Sequence, residues 1–306
     1  MIKFNIGTAG WSYKDWAPVF YPQKQSSDFN KLTFYSRYFN CAEINSTYYQ
    51  YAHPGMALEW LKKVEKKDDF LFTVKLHQDF THKREYVKQN IDAVRSVLNV
   101  LVRGERFGGL LIQFPYSFPF NEVTANYLMN LNDEFCGYQK FLEVRHKSWD
   151  SDDAAKFCRE WGLINASIDQ PQIGESLPFR FNIVNRRAYI RLHGRNEEGW
   201  LKSISNFGKL QSYEAQNERY RYLYSSGEIA ELAQIIKRSL HELKEVYVIF
   251  NNHPAGNAPA NALELIHYIE EKVKVEMPAQ MSNYFPALRV ISKDLEPELW
   301  VQDGVR

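Results

Sequence analysis

Apolar positions along the chain follow two periods in turn. The clearest helical run is Val87, Ile91, Val94, Leu98 and Leu101, which recur at steps of four, three, four and three and so share one helical face. Similar spacing predicts a helix opening near Ser27 as N-cap, with Phe29, Leu32, Tyr35 and Phe39 inward. Further helices are expected around 57–64, 121–131, 151–161, 228–243 and 262–273. Between them fall eight short runs of β-branched, aromatic and aliphatic residues, near 4–8, 41–45, 70–76, 110–114, 141–145, 164–169, 188–193 and 246–251. Strands separated by single helices call for a parallel sheet with helical crossovers. Eight such units close a single (β/α)₈ TIM-type barrel of the α/β class. The expected division is a barrel over 1–271 and a C-terminal extension over 272–306. An open doubly wound sheet is the alternative, because Gln170 to Arg187 shows no helical period. A long polar insertion, Arg195 to Ser226, follows the seventh strand, and loops of that kind are often lids. The extension carries Phe285, Leu288, Val290, Ile291, Leu299, Trp300 and Val301, enough apolar surface to dock on the barrel or on a neighbour.

Within each strand, neighbouring side chains face opposite sides. Near the C-terminal ends this alternation separates an apolar set from a polar one. The apolar residues Ile44, Val74, Ile112, Val144, Ile168, Leu192 and Phe250 are expected against the helices. The polar set is Thr8, Glu43 with Asn45, Lys75 with His77, Gln113, Glu143 with Arg145, Asp169, Arg191 with His193, and Asn251. It is expected in the barrel mouth, the rim where such folds build active sites. Burying a charge costs several kcal/mol unless it is paired. A fold that gathers this many is expected to use some of them.

Composition narrows the classes. Lys plus Arg number 38 against 37 Asp plus Glu, so no bulk charge draws the protein to nucleic acid or an anionic membrane. Cys41, Cys136 and Cys158 are too few and too scattered for a disulfide framework or zinc knuckle. No run approaches a membrane span, and the first residues move directly into a strand pattern without an apolar leader core. A soluble, cytoplasmic protein is the expectation. No Walker loop or dinucleotide fingerprint is present, and Gly7-Thr8-Ala9-Gly10 lacks the spacing of one.

Several motifs are similar to those of a known family. They include Gly7-Thr8-Ala9-Gly10-Trp11-Ser12-Tyr13, Phe20-Tyr21-Pro22, Ala42-Glu43-Ile44-Asn45-Ser46-Thr47-Tyr48-Tyr49 and Phe72-Thr73-Val74-Lys75 with Thr81-His82. Gln113-Phe114-Pro115, Glu143-Val144-Arg145-His146-Lys147-Ser148-Trp149, Tyr189-Ile190-Arg191-Leu192-His193-Gly194 and Phe250-Asn251-Asn252-His253 complete the set. Together they resemble the YecE-like family, domain of unknown function seventy-two. The resemblance implies a TIM-type barrel with its signature residues at the strand ends and no settled activity. A likeness of such barrels to metal-dependent apurinic-site endonucleases is analogy at the level of fold.

Three readings of the mouth follow. In the first, an enzyme acts on a small anionic polar substrate, a phosphorylated sugar or nucleotide-like molecule. Arg191, Arg145 and Lys75 hold the anion, Glu143 or Glu43 is general base and His193 general acid. Lys75 is alternatively a nucleophilic amine, or only a counter-charge to Glu43, Glu143 or Asp169. Trp11, Tyr48 and Trp149 would be ring platforms, and Thr8, Asn45, His82, Gln113, His146, Asn251 and Asn252 further polar contacts. No cofactor is expected. The second reading is a metal-assisted phosphodiesterase in which Glu43, His77, Glu143, Asp169 and His193 hold zinc or manganese and the 195–226 loop grips nucleic acid. Lys75, Arg145 and Arg191 in the same mouth disfavour it. The third is a non-catalytic protein that binds a ligand there.

Overall fold

The computed structural model describes residues 2–206, 209 and 212–293. Strand β1 (Lys3–Ala9) lies between β2 (Cys41–Ile44) and β9 (Glu245–Phe250), all parallel. The sheet continues on one side through β3 (Leu71–Lys75), β4 (Phe107–Gln113), β5 (Lys140–Glu143) and β6 (Ile164–Asn165). On the other side it runs through β8 (Arg187–Leu192) to β7 (Ser167–Asp169). Its two edges are therefore consecutive pieces of one strand, interrupted at Ala166, whose N–H donates to Leu142 O at 2.8 Å. The first piece pairs with β5 and the second with β8, so the interruption lets one strand close the barrel. The expected sixth strand is thus two short segments.

Helices α1 (Lys31–Tyr35), α2 (Pro54–Lys63), α3 (Lys88–Arg103), α4 (Glu122–Glu134) and α5 (Asp152–Glu160) follow the first five strands in turn. The N-cap of α1 is Asn30 rather than Ser27: its Oδ1 accepts from the N–H groups of Leu32 and Thr33 at 3.0 and 3.1 Å. That satisfies two of the donors every helix start leaves open. Residues 170–186 form no helix, in keeping with their missing period. The insertion after β8 folds as α6 (Glu197–Ser205) and α7 (Tyr213–Asn217) before α8 (Ser226–Arg238), and α9 (Asn257–Glu270) follows β9.

Beyond α9, two short helices, α10 (Met281–Tyr284) and α11 (Pro286–Ile291), bury Met281, Phe285, Leu288 and Ile291 and leave Val290 exposed. Gln280 donates to Phe20 O at 2.8 Å, tying this segment to the barrel, and within the segment Val275 N–H donates to Ile291 O at 2.7 Å. Leu299, Trp300 and Val301 lie outside the described residues.

The lumen has two layers. The lower one is aromatic: Phe141 stacks on Tyr189 with centroids 4.0 Å apart and tilts against Tyr247 at 5.0 Å. Gly109 makes room for it, since a Cβ there would stand 2.4 Å from the Phe141 ring. The polar layer rests on this plug. Gly7 allows the closest backbone approach, because a Cβ would sit 1.8 Å from Cys41 O and 2.8 Å from Tyr35 Oη. Gly7→Ala is expected to cost at least about 3 kcal/mol in urea unfolding, the upper range for overpacking. A loss below about 1 kcal/mol would show that β1 and β2 can separate freely.

Candidate active site

Strand alternation brings Glu43, Thr73, Lys75, Gln113, Glu143 and Arg191 to the inner face, as the register Glu43↔Thr73, Lys75↔Leu111 and Gln113↔Glu143 requires. Arg191 is the hub. One terminal nitrogen donates to Glu43 Oε1 at 2.6 Å and the other to Glu143 Oε2. Tyr189, two residues earlier on the same face, donates to Glu43 Oε2 at 2.7 Å. Arg145 donates to Glu143 Oε1 from Nε at 3.0 Å and from its terminal nitrogen at 2.7 Å. His193 Nε2 lies 3.3 Å from the same oxygen, and Asn251 Nδ2 donates to His193 Nδ1 at 3.0 Å. A ring accepting at Nδ1 carries its proton on Nε2, so His193 donates to Glu143.

Glu43, Glu143, Arg191 and His193 are buried, and for Glu143 and His193 this bears on protonation. Burial raises the Glu143 pKa, but Arg191, Arg145 and His193 outweigh it and hold the carboxyl well below its ordinary range. Burial pushes His193 down to about 3, with Glu143 opposing and Arg145 and Arg191 reinforcing. Neither is poised to exchange protons near neutrality. The network is a floor whose acidic oxygens already accept from cations, Tyr189 and His193. General base catalysis by Glu43 or Glu143, with His193 as acid, therefore does not fit this geometry.

Above the floor is a cavity of about 380 Å³. Lys75, Arg145 and Arg191 line it, with the amides of Asn45, Gln113 and Asn251. Trp11, Tyr13, Tyr220 and His253 supply aromatic wall. Lys75 ends β3; its amine lies over the Tyr48 ring, 4.2 Å from the centroid, and among the described residues it has no hydrogen-bond or ion-pair partner. Burial, with Arg191 and Arg145 opposed by Glu143 and Glu43, lowers its pKa to about 7. Asn45 Oδ1 and His253 Nδ1 are buried and find no hydrogen-bond partner among the described residues. The His253 ring stacks on Tyr13 at 4.2 Å, and burial with Arg219 nearby lowers it to about 3. His82 stands edge-on to Tyr48 at 5.0 Å, lowered to about 4 by burial and Lys75. The insertion roofs one side: Trp200 lies beneath the Arg145 guanidinium at 5.2 Å, and Arg219 packs on Trp200 and Tyr220.

Five sequence candidates are held elsewhere. Thr8 aligns with Ala42 and Phe250 and donates to Gly10 O at 2.6 Å, with Tyr35 Oη at 3.0 Å. Asp169 aligns with Leu192 on the outer face, while Ile168 aligns with Arg191 inside, the reverse of the expected alternation. Its carboxylate accepts from Arg195 at 2.9 to 3.1 Å and from Tyr224 at 2.5 Å, anchoring the insertion. His146 pairs with Glu175 at 3.1 Å and secures the 170–186 loop. Trp149 is buried, donates to Phe118 O at 2.9 Å and stacks on Phe118. Asn252 donates to Tyr222 O and Asn261 Oδ1 at 2.8 and 2.9 Å.

The metal reading loses its donor set. His77 faces Asp79 at 3.1 Å and stacks on Tyr51, Asp169 points outward, and Glu143 already accepts from two guanidinium groups and His193. Among the described residues no three His, Cys, Asp or Glu side chains form a ligand cluster. These residues do not fit a catalytic dication. Among them, too, no helix is long and apolar enough to cross a membrane.

Sequence reasoning missed Tyr189, Trp200, Arg219, Tyr220 and His253 as parts of the site. Tyr189 shares the face of Arg191 and His253 ends a recognised motif, so both carried a signal. Nothing periodic marks the other three, which come from the insertion.

A family model described as "Protein of unknown function DUF72" matches residues 5–283. The chain belongs to the DUF72 family. Among curated relatives of this DUF72 protein, the UPF0759 protein YunF of Bacillus subtilis is 28% identical over 288 residues, 90% of this chain and 98% of its own. The UPF0759 protein YecE of Escherichia coli K12 is 29% identical over 144 residues, 46% of this chain and 48% of its own. A crystal structure of a DUF72 family protein from Thermotoga maritima has a TM-score of 0.74 at 30% identity, covering 88% of this chain and 99% of that one. One from Enterococcus faecalis has a TM-score of 0.73 at 24% identity, covering 87% and 95%, and shows the shared fold. The α/β TIM-type barrel read from the sequence is therefore the family's own fold.

Proposed function

We propose that the DUF72 protein is an enzyme for a small polar substrate bearing a carboxylate or phosphate, bound in the mouth of the barrel. The observation that carries this is the segregation of charge around the cavity. Lys75, Arg145 and Arg191 line it, while Glu43 and Glu143 lie fully buried beneath. A ligand there meets the Lys75 amine and the planar guanidinium of Arg145, a group suited to an oxyanion, with the buried Arg191 adding positive charge beneath. Asn45, Gln113 and Asn251 would orient its hydroxyl or amide groups, and Trp11 and Tyr220 would cover its apolar face. Acid/base work falls to Lys75 rather than to the buried carboxylates, because an amine with a pKa of about 7 exchanges a proton readily near neutrality.

Titration calorimetry with inorganic phosphate, sugar phosphates, nucleotides and small carboxylates tests the reading. Arg145→Ala is expected to weaken anion binding by about 1.5–3 kcal/mol, roughly ten- to a hundredfold, the scale of a charged hydrogen bond. Its unfolding transition checks that the floor survives through Arg191 and His193. Unchanged affinity in the variant, or equal affinity for uncharged analogues, would overturn anion recognition.

A further inference from the structure

Lys75 stands apart from the other charges of the site. Arg145 and Arg191 are each bonded to a carboxylate, and Lys140 elsewhere in the barrel donates to Phe135 O at 2.8 Å. The Lys75 amine instead opens into the cavity from the end of a strand, with the face of Tyr48 as its neighbour. The carboxylates that could have paired with it, Glu43 and Glu143, are bonded to Arg191, Tyr189 and Arg145. An ion-pairing lysine is placed next to an acid. This one is placed beside cations, over a ring, and facing open volume.

We propose that Lys75 binds its substrate covalently, its amine condensing with the carbonyl of a small aldehyde or ketone whose carboxylate or phosphate is held by Arg145. The inference rests on the anion reading above and adds the substrate class and the bond formed. Every group facing the amine bears on it. Burial of the site, then Arg191 and Arg145, favour the neutral form, while Glu143 and Glu43 oppose them. Tyr48 supplies the ring beneath, and His82 stands edge-on to that ring, neutral near pH 7. Desolvation beside other cations is how a lysine becomes nucleophilic at neutral pH.

In the step itself the nitrogen lone pair attacks the carbonyl carbon, and the C=O π pair moves to oxygen. That oxygen takes the proton the nitrogen releases. The proton that the ammonium gave to water on becoming the free amine returns to the same oxygen, the C–O bond breaks, and the oxygen leaves as water. The nitrogen closes to C=N as an iminium. An ammonium and a carbonyl thus become an iminium and one water, with no oxidant or reductant.

Trapping tests this. The full-length protein is treated with glyoxylate, with glycolaldehyde phosphate or with uncharged glycolaldehyde, each with cyanoborohydride, which delivers hydride to the imine carbon. Peptide mass mapping then compares label at Lys75 with label at exposed lysines such as Lys24. Expected is labelling of Lys75 by at least one anionic probe on the order of tenfold faster than Lys24 and than by glycolaldehyde, slowed by inorganic phosphate. The glyoxylate and phosphate arms decide between carboxylate and phosphate. In Lys75→Arg, which keeps the charge but cannot condense, the excess label disappears while circular dichroism stays native. Labelling of Lys75 at the rate of Lys24 overturns the covalent role and leaves calorimetric anion binding standing. Labelling of Lys75 by glyoxylate and by glycolaldehyde phosphate that is in both cases no faster than by glycolaldehyde overturns it differently, since the amine is then reactive and anion recognition has failed.

Discussion

Arg191→Met is expected to lower the free energy of unfolding by about 3–5 kcal/mol, the scale for removing one partner from a buried ion pair. Arg191 binds Glu43 and Glu143, and all three side chains are essentially inaccessible to solvent. Without the guanidinium, Glu143 keeps Arg145 and His193, but Glu43 keeps only the Tyr189 hydroxyl among the bonds described. A carboxylate so placed must stay charged without a counter-ion or take up a proton. Adding Glu43→Gln to Arg191→Met should therefore restore part of the loss, because the amide needs no cation. Urea unfolding of the two variants measures both effects. A loss below about 1 kcal/mol, or no recovery in the double variant, would mean that the floor is not a cooperative network. Should Arg191→Met yield no folded protein, Glu43→Gln alone reports the same coupling from the other side.

The second large effect is expected on acidification. His193 and His253 are buried and titrate near 3 in the folded protein, against an ordinary value of 6.5. Above about pH 6.5 both are neutral whether the chain is folded or not, so their contribution is fully present. Between about 6.5 and 3 the unfolded rings take up protons that the folded ones refuse, and stability falls with pH. Below about 3 both states are protonated and no more is lost from this source. Each ring contributes a slope of about 1.4 kcal/mol per pH unit in that window. Over its full width the two can remove most of the margin of an ordinary domain. Unfolding free energies at about pH 7.5, 6 and 5 should decline accordingly, and His253→Phe should remove roughly a third to a half of the slope, since partly buried His82, lowered to about 4, adds a smaller share. A flat profile, or an unchanged slope in the variant, would show that these rings are reached by water or paired in another tautomer.

These predictions draw on a site that was half legible in the sequence. Alternation placed Glu43, Lys75, Gln113, Glu143 and Arg191 correctly, because strand side chains cannot choose their face one by one. It failed at Asp169 and Thr8, where both faces of the strand end have buried partners. There Arg195 and Tyr224 take the acid, and Tyr35 and a backbone carbonyl take the hydroxyl. His146 and Trp149 follow the end of β5, where strand geometry no longer constrains direction, and both turned to support loops.

By itself the sequence determined the barrel, its order of strands and the ring of polar residues at one end. Those depend on local periods and on a sheet closing with right-handed crossovers. Only the tertiary structure decided which charges neutralise one another. Glu143 and Arg191 are 48 residues apart and Glu43 and Arg191 are 148 apart, so their pairing exists only once the interrupted strand at Ala166 joins β5 to β8. That closure fixes both acids on Arg191 and leaves Lys75 without one, since Coulomb attraction in a buried site acts over a few ångströms of space and not along the chain.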